Sequence, residues 1–388
     1  MQRIPIRVEI DAAGAPGEIE GDIFAPVAGL AVRPAVLFCF PGGGMNRAYF
    51  DIPGPGTFSF VRAMTAQGFV CVTLDHLGTA ENFTPADGFA LDATAIAAAG
   101  ATVVRRVAAD LRAGRLDEAL PALGRFACIG VGHSMGAMIV LLQQSAALLY
   151  DAVALLCFTT RGLPEVLTAE ELEVASKARR EPADYARLAQ ARFAEPFPSI
   201  APARGGSAAA AGLATAAARL AATAAIQSML PGNVATEAAS LRAPLFLAAG
   251  DRDLTGPPHA IPAAFTRCND VRLVVVAGAG HHPLFRPVRR CCTGALRAGS
   301  VRSRWRGERG RGGGRVRRRL RARVAGRARV ERRGARSRRG PPGGFVGAQR
   351  VDGRNRPAER ARNDVSGAAS GGGGRGDAGI CRGSGAAQ

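Results

Sequence analysis

Ile129-Gly-Val-Gly-His-Ser-Met-Gly-Ala-Met-Ile139 is the stretch on which the reading of this chain turns. Within it, Gly132-His133-Ser134-Met135-Gly136 fits G-x-S-x-G, an elbow that carries a serine on a sharp turn between strand and helix. The surroundings agree: the apolar run 126–131 suits a buried strand, and 135–149 is apolar and helix-favouring. Such a turn strains the dihedrals of its serine, and small residues two positions away let the flanking backbones approach closely. Five residues alone decide little in a chain with 50 glycines, so the reading depends on what the other strands supply.

A chain of 388 residues has room for one large domain with insertions or for two domains. Its net charge of +20 is unevenly spread: up to Arg286 there are 23 Lys+Arg against 25 Asp+Glu, and beyond it 28 against 6. The body is near neutral, and the basic character belongs to the tail. Cys39, Cys71, Cys128 and Cys157 fall in apolar, strand-like runs, where a free thiol acts as a small hydrophobe. Their spacing resembles no metal-ligand or disulfide framework, so no metal site is expected and a reducing compartment is the simpler reading. No stretch reaches the roughly 18 uninterrupted apolar residues of a membrane span, and the N-terminus lacks an apolar signal core. The expectation is a soluble, cytoplasmic protein.

Residues 4–10 and 18–24 alternate at period two around Gly14-Ala-Pro-Gly17, as an antiparallel hairpin does. Ala35-Val-Leu-Phe-Cys-Phe40 is continuously apolar, the mark of a strand buried on both faces, and it ends in Pro41-Gly-Gly-Gly44. A helical stretch at 58–67 leads into Phe69-Val-Cys-Val-Thr-Leu74, and 91–112 reads as a long helix. Further buried strands are expected at 152–157, 244–249 and 271–276. Strands alternating with helices predict an α/β fold with a mostly parallel central sheet.

Residues 159–241 break this alternation. Thr168-Ala-Glu-Glu171 fits a capping box opening a helix toward Arg180, with Pro182 ending it and a second helix over 183–194. A helical insertion between two sheet strands is expected to form a lid. From about Pro287 the chain becomes Arg/Gly-rich, with Trp305 and Phe345 as its only aromatics, too little apolar surface to offset ordering. The expected domains are a core of 1–158 and 242–286, a lid or cap of 159–241, and a disordered tail of 287–388.

A serine hydroxyl attacks only when a base takes its proton and an acid orients that base. Acid candidates Asp251 and Asp253 follow the strand ending at Ala249, and base candidates His281 and His282 follow the last strand. The order Ser…Asp…His is the one associated with this elbow. Two N–H donors for an oxyanion would come from Met135 and from the loop 41–44. His133 reads as structural or pocket-lining, and His76 and His259 as solvent or loop residues.

With these features at successive strand ends, residues of about 20–285 resemble the α/β-hydrolase superfamily, and the resemblance implies that fold. That family's oxyanion loop usually begins His-Gly; here Pro41-Gly42 stands in its place, which points to Gly43 as donor with Gly44 as the alternate. Its Asp-x-x-Gly loop appears as Asp75-His-Leu-Gly78. The usual spacing of acid and base in the family selects Asp253 over Asp251 and His281 over His282.

The function expected is ester hydrolysis: Ser134 as nucleophile, His281 as base and Asp253 as its orienting acid, with Gly43 and Met135 as oxyanion donors and no cofactor. Serine at the elbow argues against epoxide and haloalkane hydrolysis, which use a carboxylate there. An apolar, Ala-rich lid favours an apolar acyl or alcohol group on a small-molecule ester substrate. The alternatives are a thioesterase or other acyl hydrolase on the same residues, a nucleic-acid binder acting through the Arg/Gly tail, and an inactive hydrolase-like protein. The last follows from the abrupt change of composition after Phe285, which an out-of-frame reading of GC-rich coding sequence would produce.

Overall fold

The computed structural model describes residues 1–12, 15–27, 30, 34–52, 59–79, 87–199 and 208–285. The Arg/Gly-rich tail, with the disorder and nucleic-acid contact expected of it, lies outside these residues.

The opening hairpin comprises β1 (Gln2–Ala12) and β2 (Ala15–Ala25), paired from Gln2 opposite Ala25 to Ala12 opposite Ala15. The strands thus run further toward the turn than their alternation suggests, and Pro16 and Gly17 belong to β2. The buried runs form β3 (Ala35–Phe40), β4 (Val70–Leu74), β5 (Ala127–His133), β6 (Ala152–Leu156), β7 (Leu245–Gly250) and β8 (Val271–Val276). All eight join one sheet in the order β1-β2-β4-β3-β5-β6-β7-β8. The hairpin meets β4 antiparallel, and every other pairing from β4 to β8 is parallel.

Strand alternation sends side chains to two cores. Val36, Phe38 and Phe40 of β3 pack on one face with the long helices, while Leu37 and Cys39 pack on the other. The second face is covered by α1 (Phe60–Thr65) through Phe60, Val61 and Met64. The first is covered by α2 (Ala93–Ala113) and α3 (Met135–Ala147). In α2 the buried positions Ile96, Ala97, Val103, Val104, Val107, Ala108 and Leu111 recur at helical spacing and make one apolar stripe. Asp92 caps its first turn by accepting from Ala95 N–H, and Gly114 ends it in the left-handed region. β8 differs from the other parallel strands. As the sheet's edge it is only half-buried over 271–275, where a strand buried on both faces was expected.

Between β6 and β7 lie α4 (Ala169–Ser176), α5 (Pro182–Arg192), α6 (Ala208–Ala214), α7 (Ala222–Met229) and α8 (Ala235–Ser240). The capping box of Thr168 and Glu171 opens α4, but the helix stops at Ser176, and Pro182 begins α5 instead of ending α4. Val174, Leu188, Ala189, Ala222, Ile226 and Leu230 form a small core of their own. Ala238 of α8 belongs instead to the core beneath α3, so the last part of the insertion is built into the sheet's helical layer.

One tight backbone approach in the sheet layer is at the elbow. A Cβ on Gly132 would lie 2.3 Å from the Gly136 carbonyl oxygen and 2.5 Å from Ala137 N, backbone atoms held by α3. Gly124 lies in the left-handed region (φ 59°) but has nothing within 4 Å of such a Cβ. Gly124→Ala is therefore expected to cost about 1 kcal/mol for the left-handed conformation alone. Gly132→Ala should lower the thermal midpoint far more, or prevent soluble expression, because no side chain can yield to it. Equal midpoints for the two variants would refute the clash.

Candidate active site

β5 ends at His133, and the chain turns into α3 at Ser134 with φ 52° and ψ −118°, outside the conformations that serine ordinarily adopts. The turn is pinned by the Ser134 N–H, which donates to the Leu156 carbonyl at 2.9 Å. The Ser134 side chain does not cap the helix that follows. Its Oγ instead lies 2.9 Å from His281 Nε2, and His281 Nδ1 lies 2.8 Å from Asp253 Oδ1. Since a carboxylate only accepts, Nδ1 carries the proton and Nε2 presents its lone pair to the serine hydroxyl.

Burial works to raise the Asp253 pKa. It is outweighed by the hydrogen bond and charge of His281, by the neighbouring Cys157 thiol and by the Thr255 N–H, which together leave the carboxyl at about 2. Asp253 thus stays ionised opposite the imidazole. Asp251 is exposed, and the structure brings it to neither histidine. His282 is half-buried behind His281, its ring 5.8 Å from Tyr49 and 5.3 Å from His133.

His133 is buried and holds the site together from below. Its Nε2–H donates to the His281 carbonyl at 2.7 Å, tying the elbow to the histidine loop, and its ring stacks on Tyr49 at 4.6 Å. Burial, with His281 and His282 nearby, pushes its pKa well down, so the ring is neutral. The loop 41–44 passes directly over it: a Cβ on Gly42 would lie 2.7 Å from His133 Nδ1.

Gly43 sits beside Met135, whose Cβ would be 3.8 Å from a Cβ on Gly43. Met135 is the first residue of α3, so its N–H has no partner within the helix. Gly44, at φ 73°, turns its carbonyl toward the insertion and accepts from Ala218 N–H at 2.9 Å. Asn46 N–H donates to Ala216 at 2.8 Å, and Leu220 packs on Gly43, so the insertion is bonded to this loop.

Two supports of that loop were not legible as functional. His76, read as a solvent or loop residue, is on a loop but only 2% exposed, with its Nε2–H donating to the Pro41 carbonyl at 2.7 Å. An imidazole from the next strand's loop thus braces the loop whose own histidine is missing. The signal was its place inside Asp75-His-Leu-Gly78. His259, by contrast, is exposed. Arg47, in the turn just after the loop, pairs with Glu20 at 2.9 Å, Asp22 at 3.0 Å and Asp75, whose carboxylate also accepts from Arg47 N–H at 2.6 Å. Burial raises the Asp75 pKa and Arg47 opposes that rise, so removing Arg47 alone would leave the Asp75 carboxylate buried without its counter-charge.

The cleft over Ser134 is lined by Cys157, Phe158, Leu163, Ser228, Leu254 and His281 among others, with a cavity volume of about 30 Å³. A cavity of about 500 Å³ bounded by Gln144, Tyr150, Arg242 and Arg267 lies at the far end of α3 and holds no nucleophile–base pair. The Ser134–His281 pair lies in the small cleft. Among the described residues, His133, Cys157 and His281 are the group with metal-ligand proximity.

Three histidines of this region set an expected acid response. Burial lowers His76 and His282 to about 4, and holds His133 well below its ordinary value as well. Their native pKa values lie below the unfolded value near 6.5, so between those limits the unfolded chain binds more protons. Stability is therefore fully present above pH 6.5 and lost as pH falls toward 4. A thermal-shift series from pH 8 to 4 should show a flat midpoint above 7 and a steep fall below 6.5. His76→Gln, which keeps a donor for Pro41, should reduce that slope; an unchanged slope would exclude His76 from it.

Comparison with known proteins follows this geometry. A sequence profile described as "Alpha/beta hydrolase family" matches residues 36–293. A search of curated proteins returned no match. Among solved structures, DcsB in complex with a substrate analogue is 15% identical, with a TM-score of 0.51, over 75% of this chain and 96% of that one. A thermophilic esterase from Thermogutta terrifontis is 18% identical, with a TM-score of 0.48, over 75% and 97%. BpoC from Mycobacterium tuberculosis H37Rv, described as a putative non-heme bromoperoxidase, is 18% identical, with a TM-score of 0.45, over 72% and 93%. At these identities structural likeness speaks for the fold alone, and it is the sequence profile, spanning most of the sheet and every element around Ser134, that decides membership. The chain belongs to the α/β hydrolase family.

Proposed function

We propose that the protein is a serine hydrolase that cleaves small carboxylic esters through an acyl-enzyme. The observation that carries this reading is the continuous relay from Ser134 Oγ to His281 at 2.9 Å and from His281 to Asp253 at 2.8 Å. His281 Nε2 takes the hydroxyl proton as Oγ attacks the ester carbonyl, and returns it to the leaving alkoxide. Water then repeats the sequence on the acyl-enzyme. Asp253 holds the imidazole in the tautomer this requires and stabilises the imidazolium.

The N–H groups of Met135 and Gly43 are assigned to the oxyanion. Each such donor is worth on the order of 3 kcal/mol in the transition state. Residues 159–241 are assigned as the cap that closes the cleft, a role supported by the bonds of Ala218 to Gly44 and of Ala216 to Asn46 just beyond it. The cleft's apolar lining of Phe158, Leu163 and Leu254 and its small volume favour a short, uncharged acyl group. Thioesters undergo the same acyl transfer and belong in the same substrate panel.

A fluorophosphonate probe should label the wild-type protein and leave Ser134→Ala unlabelled. Acetyl and butyryl aryl esters should be cleaved faster than long-chain ones. Asp253→Asn should lower kcat by about 10⁴-fold through the wrong tautomer, whereas Asp251→Asn should leave it near wild type. Labelling that persists in Ser134→Ala, or equal losses in the two aspartate variants, would overturn the assignment.

A further inference from the structure

Cys157 follows β6 directly, in the left-handed region at φ 51°, and lines the same cleft as Ser134 and His281. Its thiol neighbours the Asp253 carboxylate but neither gives nor takes a proton in the acyl transfer proposed above. Yet Cys157 Sγ and one ring nitrogen from each of His133 and His281 lie within 4.8 Å of one another. His133 is 1% exposed, and its Nδ1 has no hydrogen-bond partner among the described residues. One sulfur and two imidazole nitrogens form the donor set that prefers zinc and similarly soft cations to magnesium or calcium.

The dimensions suit an ion. Zinc bonds of about 2.3 Å to sulfur and about 2.0 Å to nitrogen put tetrahedral ligand atoms roughly 3.3–3.8 Å apart. Drawing these three together from within 4.8 Å therefore asks for movements of about 1 Å. The adjoining cavity of about 30 Å³ is near the volume of one water molecule in the liquid, and it gives access from the cleft to Cys157 and His281.

We propose that Cys157, His281 and His133 form an inhibitory site for a soft divalent cation, with zinc as its best-fitting occupant. On binding, the Cys157 thiol releases its proton to solvent and the thiolate takes the metal, while His281 gives up to it the lone pair that general-base catalysis needs. Water completes the fourth position. Turnover stops without any change of oxidation state, and a chelator restores it. The proposal rests on the reading of Ser134 and His281 as nucleophile and base.

The test uses the full-length protein with zinc chloride, following both aryl-ester hydrolysis and fluorophosphonate labelling, each variant being referred to its own metal-free rate. Zinc should suppress both in the wild type, with recovery on adding EDTA. The half-inhibitory concentration should rise more than tenfold in Cys157→Ser and Cys157→Ala, and stay at the wild-type value in Cys268→Ser. Cobalt(II) should give a thiolate-to-metal charge-transfer absorption in the wild type that is diminished in Cys157→Ser. Equal zinc sensitivity of Cys157→Ser and wild type, or coincident cobalt spectra, would overturn the site. Failure of the hydrolase reading looks different: metal-free wild type would neither turn over nor label, and the cobalt difference would then decide the site by itself.

Discussion

The strained backbone of Ser134 is the constraint on which the rest of this structure depends. Its φ of 52° and ψ of −118° cost on the order of 1–3 kcal/mol, and the surroundings must over-determine them. They do so with backbone on every side. Gly132 lets α3 come within van der Waals contact of β5, and Gly136 lets the carbonyls of Phe40 and Pro41 sit where a Cβ would otherwise be. The result is a serine hydroxyl at the end of the sheet and beside it a Met135 N–H with no partner within its helix, at that helix's positive end.

Much of the remaining polar chemistry exists to hold the neighbouring loops against that turn. His133 ties the elbow to the carbonyl of His281, and His76 ties the loop 41–44 to the loop after β4. Both rings are buried and neutral, which keeps positive charge away from the His281 imidazole. Arg47 does the opposite work nearby. It spends its charge on Glu20, Asp22 and Asp75, locking the turn after the loop to β2 and β4. The insertion joins through backbone bonds at Ala216 and Ala218, so its position and that of Gly43 are coupled.

The legible part of this arrangement was the part carried by local pattern. The buried runs announced the parallel strands, and Gly-His-Ser-Met-Gly announced the turn between β5 and α3. Strand-end residues supplied the acid and base candidates, although it took family spacing to separate Asp253 from Asp251. Helix ends within the insertion were less legible. Thr168 and Glu171 marked the start of α4, but its end at Ser176 and the restart at Pro182 depend on where Val174 and Leu188 find partners. Cys157 was read as a small hydrophobe because a single cysteine in an apolar run has no pattern of its own, and the loop Asp75-His-Leu-Gly78 does not say what its histidine will meet.

By itself, then, the sequence determined the α/β layering, the place of the serine turn and the small set of residues able to serve it, because hydrophobic period and glycine placement act over a few neighbouring residues. Only the tertiary structure decided which members of that set meet. Ser134 and His281 are 147 residues apart, and their 2.9 Å contact exists because β5, β7 and β8 run parallel and deliver their ends to one edge. The same convergence put Cys157 beside two histidines and swung His76 beneath Pro41. Those juxtapositions come from strand order and register, which no local stretch of the chain encodes.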